Sequence, residues 1–260
     1  MVVRLTATEY GEGKPIAILH GLFGSARNWA SIAQHLATRY RVIAFDLRNH
    51  GASPWADAMD YPAMAEDVRA AMVARGHRRF ALIGHSMGGK AAMVSALGAP
   101  ETVERLIVVD IAPIALPAPF LGWVRALRAL DLAAVARRRD ADAALAAAIP
   151  GGAERAFLLQ SLVFGEGAPR WRLNLAALEA ALPTIGGFPT FPPSTRYDGP
   201  SLFIAGGKSD LLPRCAEPAI RALFPRARIE RIAEAGHWVH VEQPAAFLTL
   251  VEPFLAADAD

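Results

Sequence analysis

The stretch ALIGHSMGGK, residues 81–90, places a serine between two glycines at the end of an apolar run. Gly84 and Gly88 flank Ser86 at equal spacing, with one residue between each glycine and the serine. Glycines at these positions let a strand and the helix that follows it approach closely, so that the serine can occupy a strained and exposed turn. The spacing predicts that Ser86 is a nucleophile, and the alternative is a glycine-rich turn with an incidental serine.

A serine nucleophile requires a general base, and the sequence EAGHWVH supplies His237 near the end of the chain. The order serine, acid, histidine is that of one hydrolase architecture. His85 directly precedes the serine, and strand alternation predicts that its side chain points elsewhere. His240 follows His237 closely, but no cluster of acidic residues or cysteines completes a metal site. We therefore expect His237 to be the base, and we expect no metal and no organic cofactor.

Two aspartates compete to be the third catalytic group. Asp110 ends the apolar run RLIVVD, and Asp210 follows the run SLFIAGG. Either can orient His237 through its Nδ1 hydrogen and stabilise the imidazolium, and the alternatives are a cap for Asp110 and an Asx turn for Asp210. The loop HGLFGS predicts an oxyanion hole made by the N–H groups of Leu22 and Met87.

The elements that would position these residues alternate between strand and helix. Buried strands are predicted at residues 15–21, 40–48, 79–86, 105–112, 201–207 and 227–238. This alternation predicts an α/β fold, with a mostly parallel sheet and helices on both faces. Residues 114–197 read as helices with no convincing strand, so we expect an insertion between two parts of one core, residues 1–113 and 198–260.

The composition limits the classes of function. The chain has 260 residues, a formal net charge of +2 and a single cysteine. So small a charge argues against a nucleic-acid surface, and one cysteine allows no internal disulfide, which fits a reducing compartment. The first residues predict no signal peptide, and no uncharged run approaches the roughly 18 residues of a membrane span. We expect a cytoplasmic monomer or dimer that acts on a small-molecule substrate.

Five motifs together resemble the α/β-hydrolase superfamily: HGLFGSARNW, DLRNHGASP, GHSMGGK, VVDIAP and AGHWVH. More narrowly, they resemble the group of small bacterial carboxylesterases, acyl-CoA hydrolases and mitochondrial abhydrolase-domain proteins. The resemblance covers residues 14–113 and 198–256. It implies an α/β-hydrolase fold with a helical lid at residues 114–197 and an antiparallel edge strand at residues 2–10.

The resemblance implies the same nucleophile, base and oxyanion hole as the residue patterns do. It does not settle the acid, because the chain has an aspartate at both positions that the superfamily uses. In most of the superfamily the acid stands at the position of Asp210, whereas in the narrower esterase group the aspartate that matches Asp110 can serve instead. The narrower group favours Asp110.

The predicted function is that of a serine esterase, which hydrolyses carboxylic esters or thioesters of small to medium acyl groups through an acyl-enzyme on Ser86. One alternative is a C–C bond hydrolase of ring-cleavage products, with Arg125 or Arg172 binding a carboxylate. Another is a non-catalytic ligand receptor. A haloalkane dehalogenase is excluded, because it needs a carboxylate in place of Ser86. The residues predicted to bind the substrate are Phe23, Trp123, Phe164 and Trp238.

Overall fold

A computed structural model describes residues 1–116 and 120–257. The centre of the protein is a seven-stranded sheet. The strands of these residues are β1 (Ala7–Tyr10), β2 (Lys14–Leu19), β3 (Tyr40–Phe45), β4 (Phe80–His85), β5 (Val103–Val109), β6 (Leu162–Val163), β7 (Arg170–Trp171), β8 (Ser201–Gly206) and β9 (Ala227–Ile232). The main sheet has the order β1-β3-β2-β4-β5-β8-β9. Within the main sheet of the described residues only β1 runs antiparallel to its neighbour, which confirms the predicted fold class.

Helices cover both faces of this sheet. Those of the described ranges are α1 (Ala30–Leu36), α2 (Tyr61–Val73), α3 (Met87–Gly98), α4 (Leu121–Ala129), α5 (Arg138–Leu145), α6 (Gly152–Leu158), α7 (Leu175–Gly186), α8 (Glu217–Leu223), α9 (Val239–Glu242) and α10 (Pro244–Ala256). Side chains of α1 and α10 pack with Ile16 and Ile18 of β2, whereas α2, α3 and α8 pack in the core that holds Ala17 and Leu19. Because successive residues of a strand face opposite sides, burial on both faces requires the continuous apolar sequence of β2.

The two outermost strands are shorter than the sequence predicts. The pattern predicts a strand over residues 227–238, but β9 ends at Ile232. Its neighbour β8 pairs with it only as far as Gly206, opposite Ile232, so the hydrogen-bond ladder stops there. The residues after Ile232 form a loop, and this loop carries His237. The edge strand expected at residues 2–10 is likewise confined to β1.

In the described part of the chain between β5 and β8 lie four helices, α4 to α7, and a small hairpin. The hairpin pairs Leu162 with Trp171 and Val163 with Arg170. The expectation that this part of the chain contains no strand is therefore wrong. The reason is length, because strands of two residues are too short to show an alternating pattern.

The division of the chain into two core parts around an insertion at residues 114–197 stays a prediction. Within that insertion residues 117–119 lie outside the described residues, and so do residues 258–260 at the end of the second core part. Among the helices of the described ranges, none combines the length and the apolar character that crossing a lipid bilayer requires.

The parallel strands bring the candidate residues to one edge of the sheet. Ser86 follows β4 and Asp110 follows β5 directly, while Leu22, Asp210 and His237 lie in the loops after β2, β8 and β9. The carboxyl ends of neighbouring parallel strands open onto the same edge, where α/β proteins bind their ligands. Residues far apart in the sequence therefore meet there.

Candidate active site

Ser86 occupies a sharp turn between β4 and α3. Its backbone has φ 53° and ψ −119°, a conformation that residues other than glycine rarely adopt and that costs about 1–3 kcal/mol. The Ser86 N–H donates a hydrogen bond of 3.0 Å to the carbonyl oxygen of Val109, which ties the turn to the end of β5. The serine therefore lies at the carboxyl edge of the sheet and at the positive end of the α3 dipole.

Gly84 and Gly88 flank this turn because neither position has room for a side chain. A Cβ atom at Gly84 would lie 2.2 Å from the carbonyl oxygen of Gly88. A Cβ atom at Gly88 would lie 2.5 Å from the carbonyl oxygen of His20. Both clashes are with backbone atoms, which no side-chain rotation relieves. The two glycines thus permit the close approach of strand and helix that the sequence predicts.

His237 is joined to Asp110. The Nδ1 atom of His237 donates a hydrogen bond of 2.8 Å to Oδ2 of Asp110. The aspartate side chain is fully buried, whereas the His237 side chain is 26% exposed. The other oxygen of Asp110 accepts a hydrogen bond of 2.8 Å from the Gly206 N–H, and the Ser209 hydroxyl donates to Oδ2. With Nδ1 engaged as a donor, His237 presents Nε2 as a free acceptor.

Asp210, the second candidate for the acid, has no such contact. Its side chain is exposed, and within the described residues the carboxylate partner of the His237 Nδ1 atom is Asp110. The neighbouring Ser209 turns inwards and donates to Asp110 instead. The loop after β8 therefore supports the buried aspartate through a hydroxyl and a backbone N–H, and leaves its own aspartate in solvent.

His85 contradicts the expectation that it points away from the site. Its ring centroid lies 4.5 Å from that of His237, and its Nε2 atom donates a 2.9 Å hydrogen bond to the His237 carbonyl oxygen. Burial lowers the pKa of His85 well below its usual value, so this ring is neutral. Strand alternation gives the correct face of the sheet, but it does not reveal that the loop after β9 folds across the end of β4.

Two backbone N–H groups beside Ser86 are free to bind a ligand. Within the described residues, neither the N–H of Leu22 nor that of Met87 donates to a protein acceptor. Met87 is the first residue of α3, where the helix provides no acceptor, and Leu22 lines the same cavities as Ser86. Free donors at this place are what an oxyanion hole requires.

The loop that carries Leu22 is braced by two buried histidines. His20 accepts a hydrogen bond of 3.0 Å from the Leu47 N–H at Nε2 and donates from Nδ1 to the Gly21 carbonyl. His50 accepts a hydrogen bond of 3.2 Å from the Phe23 N–H. Burial lowers the pKa of His20 to about 4 and that of His50 to about 3. Both rings are therefore neutral near neutral pH, as an imidazole that accepts an N–H must be.

Ser86 borders two cavities of unequal size. The larger, about 680 Å³, also contains His237 and is walled by apolar and aromatic side chains from the loops and from α4 and α6. The smaller, about 50 Å³, contains Met87 and Leu22 but not His237. Within the described residues the Ser86 hydroxyl and His237 Nε2 are not hydrogen bonded, and such bonds are often long before a substrate is present.

The predicted substrate-binding residues divide into two groups. Phe23, Trp123 and Trp238 line the larger cavity, and so does Phe157, which the sequence analysis does not single out. Phe164 does not line it: its side chain is 41% exposed and lies under the Arg138 guanidinium, 5.6 Å from the ring centroid. Phe164 follows β6 in the turn of the hairpin, on the solvent side. The expectation of a pocket contact is corrected for this residue.

The two arginines considered for binding a carboxylate also lie away from the site. Arg125 pairs with Glu179 on the exposed surface. Arg172 lines a separate pocket near β1. Among the described residues the larger cavity is lined by no lysine or arginine, and the charged side chains on its wall are Glu154 and Glu242. This lining does not attract an anionic substrate.

Comparisons with known proteins agree with the fold. The family described as "alpha/beta hydrolase fold" matches residues 14–244. A Mus musculus protein named "sn-1-specific diacylglycerol lipase ABHD11" is 40% identical over 250 residues, which cover 93% of this chain and 80% of that protein. "Esterase YbfF" of Escherichia coli (strain K12) is 36% identical over 251 residues, which cover 96% of each chain.

A solved structure named "Marine microorganism esterase" matches this chain with a TM-score of 0.93 and 35% sequence identity, covering 97% of this chain and 99% of that one. Esterases and lipases thus recur among the relatives of the whole chain, and the sheet topology is shared. The chain belongs to the alpha/beta hydrolase fold family and is a hydrolase.

Proposed function

We propose that the protein is a serine hydrolase that cleaves carboxylic esters or thioesters of small to medium acyl groups. The observation that supports this most is the buried Asp110 carboxylate, which holds His237 with its Nε2 atom free beside Ser86. The free N–H groups of Leu22 and Met87 add a site for an oxyanion. The esterases and lipases named among the relatives support the same class of reaction.

In the proposed reaction, Nε2 of His237 takes the hydroxyl proton of Ser86 while Oγ attacks the carbonyl carbon of the substrate. The carbonyl oxygen gains a negative charge and accepts hydrogen bonds from the N–H groups of Leu22 and Met87. Asp110 stabilises the imidazolium. The proton then passes to the leaving alcohol or thiol, the C–O or C–S bond breaks, and an acyl-enzyme remains.

Water completes the proposed cycle by the same steps. His237 takes a proton from the water molecule, the resulting hydroxide attacks the acyl carbon, and Ser86 leaves with the proton restored to its oxygen. The products are a carboxylic acid and a free serine hydroxyl. The proposal requires neither a metal nor an organic cofactor.

The two cavities suggest where the parts of the substrate lie. The leaving group must receive its proton from His237, so it belongs in the larger cavity, which contains that histidine. We place the acyl group toward the smaller cavity beside Met87, with longer chains bending past Phe120, which borders both. The absence of lysine and arginine from the described lining of the larger cavity favours uncharged leaving groups.

The inserted segment is proposed to act as a lid. Trp123 of α4 and Phe157 of α6 form part of the wall of the larger cavity, so movement of these helices would open or close the access to Ser86. Lids of this kind exclude water and gate the substrate. A cytoplasmic location and the choice between monomer and dimer stay predictions from the sequence.

A panel of p-nitrophenyl esters and acyl-CoA thioesters from C2 to C16, together with a vinylogous diketone, tests the proposal. We expect steady turnover of short and medium esters. Turnover of the diketone without turnover of esters would instead support the C–C bond hydrolase, which the described lining of the larger cavity disfavours because it provides no cation. Binding of these compounds with no turnover of any of them would support the ligand receptor and contradict the proposal.

A further inference from the structure

Lys90 is a buried lysine one turn after Ser86 on α3. Lys90 as a whole residue is only 2% exposed to solvent. The ammonium donates hydrogen bonds to three backbone carbonyls, at 2.9 Å to Ile114, 3.0 Å to Gly186 and 2.7 Å to Gly187. An ammonium has three hydrogens, so all its donors are used. Lys90 therefore has no hydrogen left for a substrate, although it borders the smaller cavity.

The three carbonyls belong to the two ends of the inserted segment. Ile114 lies where the chain leaves the core after β5, and Gly186 and Gly187 lie at the end of α7, where it turns back toward the core. The Leu116 N–H also donates to the Gly186 carbonyl, at 2.9 Å. The carboxyl end of a helix carries partial negative charge that attracts a cation. Lys90 thus joins both junctions of the insertion to the helix that begins at Met87.

No carboxylate balances this charge among the described residues that line the smaller cavity. Tyr61 of α2 is a titratable group in the same lining, with Nζ of Lys90 5.9 Å from its ring centroid. Its hydroxyl donates a hydrogen bond of 2.6 Å to the Ile185 carbonyl. Burial raises the pKa of Tyr61 far above its usual value, so the phenol stays neutral.

The acidic groups on the surrounding elements are engaged elsewhere. On α7, Glu179 pairs with two arginines of α4. Asp67 of α2 pairs with the buried Arg48, and Asp110 after β5 holds His237. Burial without a counter-ion lowers the pKa of Lys90 to about 8. An apolar residue would fill this space with no such electrostatic cost, so packing alone does not account for a lysine.

We infer that Lys90 is a positioning residue, which fastens both junctions of the inserted segment to α3 and so fixes the place of the insertion over the cavity beside Ser86. The contacts of Lys90 with the junctions are structural facts. We expect this positioning to influence which acyl lengths the protein accepts. That effect rests on the proposed function, because it requires that the insertion forms part of an ester-binding cavity.

The test compares Lys90→Met with the wild type and with a control, Lys14→Met. Methionine has a similar length but no donor, and Lys14 is an exposed lysine at the opposite end of the sheet, on β2. Amide hydrogen exchange is measured in residues 120–187 and in the core strands. We expect exchange in the insertion to rise about tenfold in Lys90→Met, as losing buried hydrogen bonds permits, while β3 and β4 and the control stay unchanged.

Selectivity for acyl length supplies a second measurement. We expect the ratio of kcat/KM for an octanoate ester to that for an acetate ester to change at least about fivefold in Lys90→Met, through KM more than through kcat. The control should keep the wild-type ratio. If the wild type hydrolyses no ester, hydrogen exchange still tests Lys90, so a failure of the proposed function is told apart from a failure of this inference.

A third measurement uses the wild-type protein alone, so it tests the inference even if the Lys90→Met variant does not fold. When the Lys90 ammonium loses a proton, the neutral amine keeps two hydrogens and can no longer donate to all three carbonyls. Protection of the insertion, corrected for intrinsic exchange, should therefore fall between about pH 7 and about pH 9.5, while that of β4 should not. Unchanged protection in the wild type over this range, or equal protection of the insertion in a folded Lys90→Met variant and the control, would overturn the inference.

Discussion

Asp110 is buried in the site and hydrogen bonded through both of its carboxylate oxygens. It is fully buried, its backbone has φ 51°, and its two oxygens accept hydrogen bonds from His237, Gly206 and Ser209. An isolated buried carboxylate would be costly, and these donors offset the loss of water. An aspartate held in this way can fix the His237 tautomer before a substrate arrives, which an exposed aspartate cannot do.

The two aspartates should therefore respond differently to the same substitution. We expect Asp110→Asn to lower kcat/KM by roughly 10⁴, since an amide would favour the wrong tautomer of His237. The kcat/KM of Asp210→Asn should stay within about threefold of the wild-type value, because Asp210 is exposed and, within the described residues, forms no hydrogen bond with His237. Measuring kcat/KM on one short-chain ester for both variants checks this. A larger loss at Asp210 would reverse the assignment of the acid.

The turn at Ser86 could be predicted from its residue pattern. The residue patterns leave both aspartates open, and the resemblance to the narrower esterase group favours Asp110. The glycine spacing around Ser86 is a local signal, because Gly84 and Gly88 are close along the chain and a Cβ atom at Gly84 would clash with Gly88. Asp110 and Asp210 both follow strands that end at the same edge. What separates them is the path of the loop after β9, which brings His237 to Asp110, and no residue pattern encodes that path.

At the scale of elements, the segment between β5 and β8 contributes Trp123 and Phe157 to the wall of the larger cavity. The sequence predicts its helices from composition, yet the side on which each aromatic residue lies depends on how the helices and the hairpin pack. Trp123 on α4 reaches the cavity, whereas Phe164 in the hairpin reaches solvent. Both are large aromatic residues in helix-rich sequence, so the sequence alone does not distinguish them.

These two residues form a matched pair for testing the wall of the cavity. We expect Trp123→Ala to lengthen the preferred acyl chain of p-nitrophenyl esters by about two or more carbons. The longer chains are proposed to bend past Phe120 toward the larger cavity, where removing the indole opens space. Turnover of the acetate ester should change much less. Phe164→Ala should leave the chain-length profile unchanged, since Phe164 is exposed beside Arg138 and does not line the larger cavity. Identical profiles for both variants would count against α4 as part of the wall.

At the scale of the whole molecule, four of the seven histidines are buried and neutral. They are His20 and His50 in loops, His85 at the end of β4 and His240 in α9. Burial lowers the pKa of His240 to about 3, and its ring stacks on Trp29 at 3.9 Å. Burial thus keeps the folded protein from accepting protons at these four histidines near neutral pH.

The free energy of unfolding should therefore fall as the medium is acidified. Below the ordinary histidine pKa of about 6.5, the unfolded chain binds protons that the folded state refuses, so stability is full above that pH and decreases toward the lowered values. Each buried histidine should cost about 1–2 kcal/mol between about pH 7 and pH 5. Urea unfolding at the two pH values measures the decrease.

His240→Phe should reduce this decrease by the contribution of one histidine, about 1–2 kcal/mol, because phenylalanine keeps a ring against Trp29 but cannot titrate. His35→Gln is the control, since the His35 side chain is 52% exposed at the surface. A pH dependence in His240→Phe equal to that of the wild type would contradict the role of the buried imidazole. A loss of the dependence in the control would contradict it as well.

The central claim is that Ser86 carries the acyl group during turnover, and trapping that intermediate tests it most directly. The protein is mixed with p-nitrophenyl butyrate, quenched in acid within the first turnovers and analysed by intact mass and peptide mass spectrometry. We predict a butyryl adduct on the peptide that contains Ser86, no adduct in Ser86→Ala, and a loss of rate of about 10⁴ to 10⁶ in that variant. An adduct on another residue, or a Ser86→Ala variant that retains a tenth of the wild-type rate, would contradict the account.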